Sequence, residues 1–232
     1  MTVDCQDTVV SKPKKIFRVP ELIVGFDTET TGLDVRTERA ISYGFCEYRY
    51  GQPVRDEEFY VLPDRPIADA ARRVHGLSVD DIEAKRSSAT VLSVEAGLLR
   101  ALALVRDYHS RGAFFVGANI FNFDFAMLRH SAQSVLGSAL DDRYLDFSLL
   151  RTIDVRDHDL AIEPDRTLRP RRGLEHLCQH YGVASGGHDA LGDARASVEV
   201  FFQQVITNND GQMMLQLMTP ADDVAATLPS LS

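Results

Sequence analysis

Residues 22–32, LIVGFDTETTG, constrain this chain more than any other stretch. The run is apolar until Asp27 and Glu29 and stops at Thr30-Thr31-Gly32, as expected of a buried strand that ends in a turn. Two further segments, RAISYGFCEYRYG (39–51) and EEFYVLP (57–63), are rich in β-branched and aromatic residues. With Gly51-Gln52-Pro53 between them they read as successive antiparallel strands. Helical spacing then appears in 89–107 through Val91, Val94, Leu98, Leu102 and Val105, behind the AFFVGA strand (113–118) in 123–133, and in 168–183. A strand is expected over 149–155, and Ala194, Val198, Phe201, Phe202 and Val205 mark a final helix. Strands first, then alternating helix and strand, then helices, describe one α/β domain around a mixed sheet. Residues 20–207 form that domain, 1–19 a flexible arm with a basic cluster at Lys12, Lys14, Lys15 and Arg18, and 208–232 a C-terminal extension.

Composition narrows the function. Against 25 Lys+Arg stand 34 Asp+Glu, a formal net charge of −9, which argues against a protein whose whole surface coats nucleic acid. It leaves room for an enzyme that grips a few phosphates locally. Three scattered cysteines (Cys5, Cys46, Cys178) indicate neither a disulfide framework nor a thiolate zinc site. No apolar run reaches the length of a membrane span, and the opening residues lack a signal peptide's apolar core, so a cytoplasmic protein with no membrane association is expected.

Three sequence elements carry chemistry. Asp27 and Glu29 leave a strand on the same face, so their carboxylates converge where the strand ends, and hard cations such as Mg²⁺ favour such oxygen ligands. Alone, Asp-x-Glu describes many solvated strand ends. Asp124, in Asn119-x-x-x-Phe123-Asp124, falls in the first turn of a helix, where the helix dipole also favours a carboxylate. His188 and Asp193 lie five apart, about 140° around a helix, so His188 belongs on the preceding loop and Asp193 on the helix. The glycines Gly186-Gly187 suggest that this loop can move. Asp154, His158 and Asp159 are not a compact cluster and read as capping or turn residues.

In order along the chain, Phe26-Asp27-x-Glu29-Thr30-Thr31-Gly32, Asn119-x-x-x-Phe123-Asp124 and His188-x-x-x-x-Asp193 resemble the three motifs of the DEDDh (DnaQ-like) exonuclease family. That family includes the epsilon proofreading subunits of bacterial DNA polymerase III and free-standing epsilon-like exonucleases of actinobacteria and phages. Val74-His75-Gly76-Leu77 and Leu174-x-x-Leu177-Cys178-x-x-Tyr181-Gly182 extend the likeness. One departure stands in the strand after the first motif. Many members carry a Glu there within I-I-E-I-G, whereas this chain reads Ala40-Ile41-Ser42-Tyr43-Gly44.

The resemblance implies a ribonuclease H-like fold, with a mixed five-stranded sheet flanked by helices, and metal-dependent 3′–5′ exonuclease activity releasing nucleoside 5′-monophosphates. Asp27, Glu29 and Asp193 would bind one of two divalent cations, Mg²⁺ or Mn²⁺. Asp27 would bridge to the second, which Asp124 supports, and His188 would be the general base. Thr30 and Leu33 would contact the terminal nucleotide and His75 the 3′-terminal residues. Arg169, Arg171 and Arg172 are the candidates for the DNA backbone, and Phe121 and Phe125 for base stacking, with at least one of the two rings in the core. The expected partner is the 3′ end of single-stranded or frayed DNA in proofreading or repair, with RNA, a DNA polymerase subunit or a sliding clamp as further possibilities. Residues 212–218 faintly resemble a clamp-docking motif, although a helical extension is favoured. An exoribonuclease on the same scaffold and a non-catalytic end-binding or polymerase-associated module are the alternatives.

Overall fold

Residues 16–137 and 146–216 are described by a computed structural model. In chain order they form β1 (Val19–Pro20), β2 (Leu22–Thr30), β3 (Ala40–Arg49), β4 (Gln52–Val61), α1 (Asp69–His75), α2 (Val79–Ala84), β5 (Val91–Leu92), α3 (Val94–Ser110), β6 (Phe114–Gly117), α4 (Asp124–Leu136), β7 (Arg151–Asp154), α5 (Val155–Ile162), α6 (Leu174–Tyr181), α7 (Ala190–Asn208) and β8 (Leu215–Gln216). The main sheet has the order β5-β4-β3-β2-β6-β7. β2, β3 and β4 are antiparallel neighbours, while β2–β6, β6–β7 and β4–β5 pair in parallel.

The period-two pattern of β2 divides the interior. Leu22, Val24 and Phe26 enter a core beneath α3 and α4, where the Phe26 ring stacks on Phe45 at 4.6 Å and meets Phe125 at 5.1 Å. Ile23, on the other face, joins Cys46, Val116, Val198 and Phe201 beneath α7. Asp27 and Glu29 continue that second face beyond the point where apolar side chains stop. The face expected for the last helix is its buried one, since Ala194, Val198, Phe201, Phe202 and Val205 are all buried. Cys46 and Cys178 are free and buried.

Four expectations change. The sheet has six strands rather than five, because Val91 and Leu92 pair with Tyr60 and Val61. Val91 therefore belongs to a strand, and α3 starts at Val94, where the Ser93 side chain accepts from the Ala96 amide. β4 begins at Gln52, five residues early, after a Tyr50-Gly51 turn with φ of 50° and 75° that suits a tight hairpin. Its first residues, Gln52–Asp56, are exposed, and β5 covers only the far end of the strand, so the outer edge of this half carries no partner among the described residues.

The chain beyond α7 is the fourth. Residues 212–214 are not helical, and Leu215–Gln216 pair in parallel with Val19–Pro20 instead. Asn209 holds the incoming segment, donating from Nδ2 to the Phe17 carbonyl at 2.6 Å and accepting from the Phe17 amide at 3.2 Å. The rest of the arm (1–15) and of the extension (217–232) lies outside the described residues.

Candidate active site

The site forms where β2 ends. Carboxylate oxygens of Asp27, Glu29 and Asp193 all lie within 4.8 Å of one another. The first two come from alternate positions of one strand, and the third from the first turn of α7, whose N-cap Asp189 accepts from the Gly192 amide at 3.1 Å. What brings α7 this close is Gly44, the register partner of Asp27 on β3. A Cβ there would fall 2.4 Å from the Ala190 backbone, so any side chain would push the helix and Asp193 away. Gly186 acts in the same way, because a Cβ would lie 2.2 Å from Asp193 Oδ1. Gly186 therefore has a close-approach role in addition to any freedom that the Gly186-Gly187 pair gives the loop.

Asp124 arrives from the other side of the sheet, in the first turn of α4 and 2% exposed. Asn119, after β6, takes a φ of 67°, a left-handed conformation that Asn tolerates well, and turns the chain into the helix. The Thr28 hydroxyl donates to Asp124 Oδ1 at 2.7 Å. His188 sits on the loop, as the five-residue spacing requires, with Nδ1 3.9 Å from Asp193 Oδ2 and half its side chain exposed. Asp27, His188 and Asp193 border one cavity of about 340 Å³.

The residues expected to touch substrate separate into two groups. Thr30 follows Glu29 at the end of β2, and His75, at the end of α1, reaches its carbonyl. The Leu77 amide donates to His75 Nδ1 at 3.0 Å, so Nε2 carries the proton and donates to the Thr30 carbonyl at 3.2 Å. Leu33 is 82% exposed. Phe125 is core and Phe121 is exposed. Arg169 and Arg172, by contrast, turn inward onto the fully buried Asp159. Arg169 pairs with its Oδ1, and Arg172 Nε donates to Oδ2 at 2.6 Å. The Tyr181 hydroxyl adds a third bond to Asp159 at 2.7 Å. Of the three arginines only Arg171 remains free to meet a solvent-borne ligand. Asp154, as expected, caps a helix, accepting from the Arg156 amide at 2.9 Å.

Crowded carboxylates resist ionisation. Burial, and then Asp193 and Asp124 nearby, push Glu29 up to about 8. Burial also raises Asp124 to about 7, against the pull of the Thr28 hydrogen bond. Asp27 is driven well above the carboxylate range by burial and by Asp124, Glu29 and Asp193, and Asp193 is raised by burial although His188 opposes this. A divalent cation would relieve this repulsion, and an all-oxygen set suits Mg²⁺ or Mn²⁺. Ser42, opposite Glu29 on β3, has a buried hydroxyl with no hydrogen-bond partner among the described residues, which leaves a further oxygen donor beside the cluster. The residues present fit a metal.

A ribonuclease H-like sheet bearing a carboxylate cluster at the end of its central strand defines a nuclease class. The exonuclease family RNase_T matches residues 24–201, and this chain belongs to that DnaQ-like family. DNA polymerase III PolC-type of Thermotoga petrophila is 27% identical over 183 residues, which is 78% of this chain and 12% of that protein. DNA polymerase III subunit epsilon of Rickettsia conorii is 26% identical over 189 residues, 76% of this chain and 70% of that protein. Among solved structures, the zinc-bound complex of E. coli ExoI with ssDNA superposes with a TM-score of 0.64 at 20% identity, covering 81% of this chain and 41% of that one. Exonuclease I of Methylocaldum szegediense gives 0.63 at 20% identity, with 80% and 40% covered. The chain thus spans 12% of the PolC-type relatives and about two fifths of the exonuclease I chains. No helix of the described residues is long and apolar enough to cross a membrane.

Sequence reasoning missed Thr28, Gly44 and Asp159. Thr28 lies between two acids, and period two alone assigns it to the opposite face, where Asp124 waits. Gly44 stands where the family's I-I-E-I-G stretch has its glycine, but its role depends on contact with a distant helix, and Asp159, read as a capping or turn residue, instead lies fully buried between Arg169 and Arg172.

Proposed function

We propose that this protein is a 3′–5′ exodeoxyribonuclease that uses two divalent cations, Mg²⁺ or Mn²⁺, to release nucleoside 5′-monophosphates from single-stranded or frayed DNA ends. The observation that carries this reading is the convergence of Asp27, Glu29 and Asp193 within 4.8 Å in a member of the exonuclease family. Asp27, Glu29 and Asp193 would hold one cation, and Asp27 with Asp124 the other. Bound there, the cations would acidify a water and neutralise charge on the attacked phosphoryl group. His188, half exposed beside Asp193, takes the water's proton from the solvent side. The Thr30 backbone, fixed through its carbonyl by His75, and the exposed Leu33 side chain orient the terminal nucleotide at the mouth. The relatives' names suggest work beside a replicative polymerase.

The test is a digest of single-stranded DNA and RNA, each labelled at either end, with Mg²⁺, Mn²⁺ or chelator. The expected result is a DNA ladder shortening from the 3′ end, lost in chelator and in Asp27→Ala. Equal turnover of RNA would point to an exoribonuclease. Full activity of Asp27→Ala would refute the site.

A further inference from the structure

The cavity beside the carboxylates does not end there. Its far wall is Arg156, Gly173, Leu174, Glu175, His176 and Ser185. A second cavity of about 530 Å³ shares Glu175, His176 and Ser185 with it and reaches Arg171 and Cys178. The two form one groove from Asp27 and Asp193 across the start of α6 to Arg171.

We propose that this groove binds the backbone phosphates upstream of the scissile bond, with Arg156 and His176 as the first contacts and Arg171 as the next. The proposal rests on the exonuclease reading above. Two divalent cations only balance four carboxylates, so every further phosphate held by the protein needs another cation. Arg169 and Arg172 cannot supply it, because Asp159 holds both. Arg156 is exposed, its side chain has no hydrogen bond or ion pair among the described residues, and it borders the same cavity as Asp27, His188 and Asp193. α6 begins between these cations, at Gly173, which provides no side-chain cap, so the first amides of the helix face this end unclaimed by a side chain. Among the described residues, Glu175 is the only acid lining the groove apart from the metal carboxylates, and it is exposed.

The opposite charges of Arg156 and Glu175 give a test with a built-in sign. Binding of a fluorescent oligothymidylate is measured by anisotropy in Ca²⁺, across a salt series, for the parent protein, Arg156→Ala, Arg156→Lys, Arg171→Ala and Glu175→Gln. Hydrolysis is measured in Mn²⁺ on the oligonucleotide and on the p-nitrophenyl ester of thymidine 5′-monophosphate, which has only the scissile phosphate. Arg156→Ala and Arg171→Ala should each weaken oligonucleotide binding about 5–10-fold and flatten the salt dependence by about 0.7 in log–log slope, the single-strand value per phosphate. Arg156→Lys should keep that slope, and Glu175→Gln should tighten binding. The loss of kcat/KM in Arg156→Ala should be at least about fivefold greater on the oligonucleotide than on the ester.

Unchanged binding in both alanine variants, or equal losses on the two substrates, would overturn the proposal. If the parent protein cleaves neither substrate, the exonuclease reading fails, while the anisotropy series still decides the groove.

Discussion

The Thr28 hydroxyl donates a 2.7 Å hydrogen bond to the Asp124 carboxylate, joining the end of β2 to the first turn of α4 across the sheet edge. Burial favours the neutral form of Asp124, and that bond, together with backbone amides of Thr28 and Asp124, opposes the rise. Thr28→Val preserves shape and removes the donor. It should cost about 1 kcal/mol of stability and raise the Mn²⁺ concentration needed for half-maximal activity several-fold. A metal titration with an unchanged midpoint would show that Asp124 does not depend on this bond.

The raised carboxylates make the metal-free protein sensitive to pH in a particular direction. Unfolded carboxylates titrate near ~4, whereas folded Glu29 and Asp124 are at about 8 and about 7. The folded state therefore holds protons that the unfolded chain has released. The stability linked to these groups is complete below about pH 4 and drains as pH rises through about 7–8. In chelator, Tm should fall between pH 5.5 and 8.5, and added Mg²⁺ or Mn²⁺ should restore it at the upper end. Asp27→Asn, which removes one of the repelling charges, should raise Tm in chelator by a few degrees while abolishing hydrolysis. A Tm that climbs steadily with pH in chelator contradicts this picture.

Gly44→Ala tests whether α7 sets the spacing of the metal ligands. The added methyl meets the Ala190 backbone at 2.4 Å, and backbone cannot step aside as a side chain can. Overpacking of this kind costs about 1–3 kcal/mol. Metal affinity should fall as well, measured by calorimetry at a temperature where the variant is fully folded. Ordinary Mn²⁺ affinity in a folded Gly44→Ala protein would show that this glycine does not set the spacing of the ligands.

Asp159 is predicted to matter for stability more than any residue of the metal cluster. Asp159→Ala leaves Arg169 and Arg172 facing each other with their shared counter-charge gone, a loss on the order of 3–5 kcal/mol. Chemical denaturation should show it as a large drop in midpoint. Arg171→Ala, a surface change a few residues away, should leave the midpoint within about 0.5 kcal/mol of the parent.

Local spacing placed individual residues at the candidate site, while their grouping into one site came from the resemblance to the DEDDh motifs. Two acids at i and i+2 share a strand face, and a His and an Asp five apart cannot share a helix face, so one had to be on the loop. The long strands and α7 were equally readable from their apolar spacing. What escaped was non-local. Val91 looks helical beside Val94 and Leu98 until Tyr60 is found pairing with it, and Gln52–Asp56 looks like loop because both faces of that stretch meet water, so no alternation marks it. Arg169, Arg171 and Arg172 look alike in sequence, and only the packing of α5 against α6 buries Asp159 where it takes two of the three.

The bare outer edge of β4 has a consequence for behaviour at high concentration. An open row of strand amides and carbonyls invites a second copy to extend the sheet, the first step of aggregation. Pro53 removes one donor from that edge, and Arg55, Asp56, Glu57 and Glu58 follow it, with Asp56 tied to Arg195 at 2.6 Å and Glu57 to Arg100 at 2.8 Å. A neighbouring molecule would have to strip water from these charges and break those pairs before its own strand could dock. The same exposed, charged stretch that hid this strand from sequence inspection thus also opposes edge-to-edge pairing.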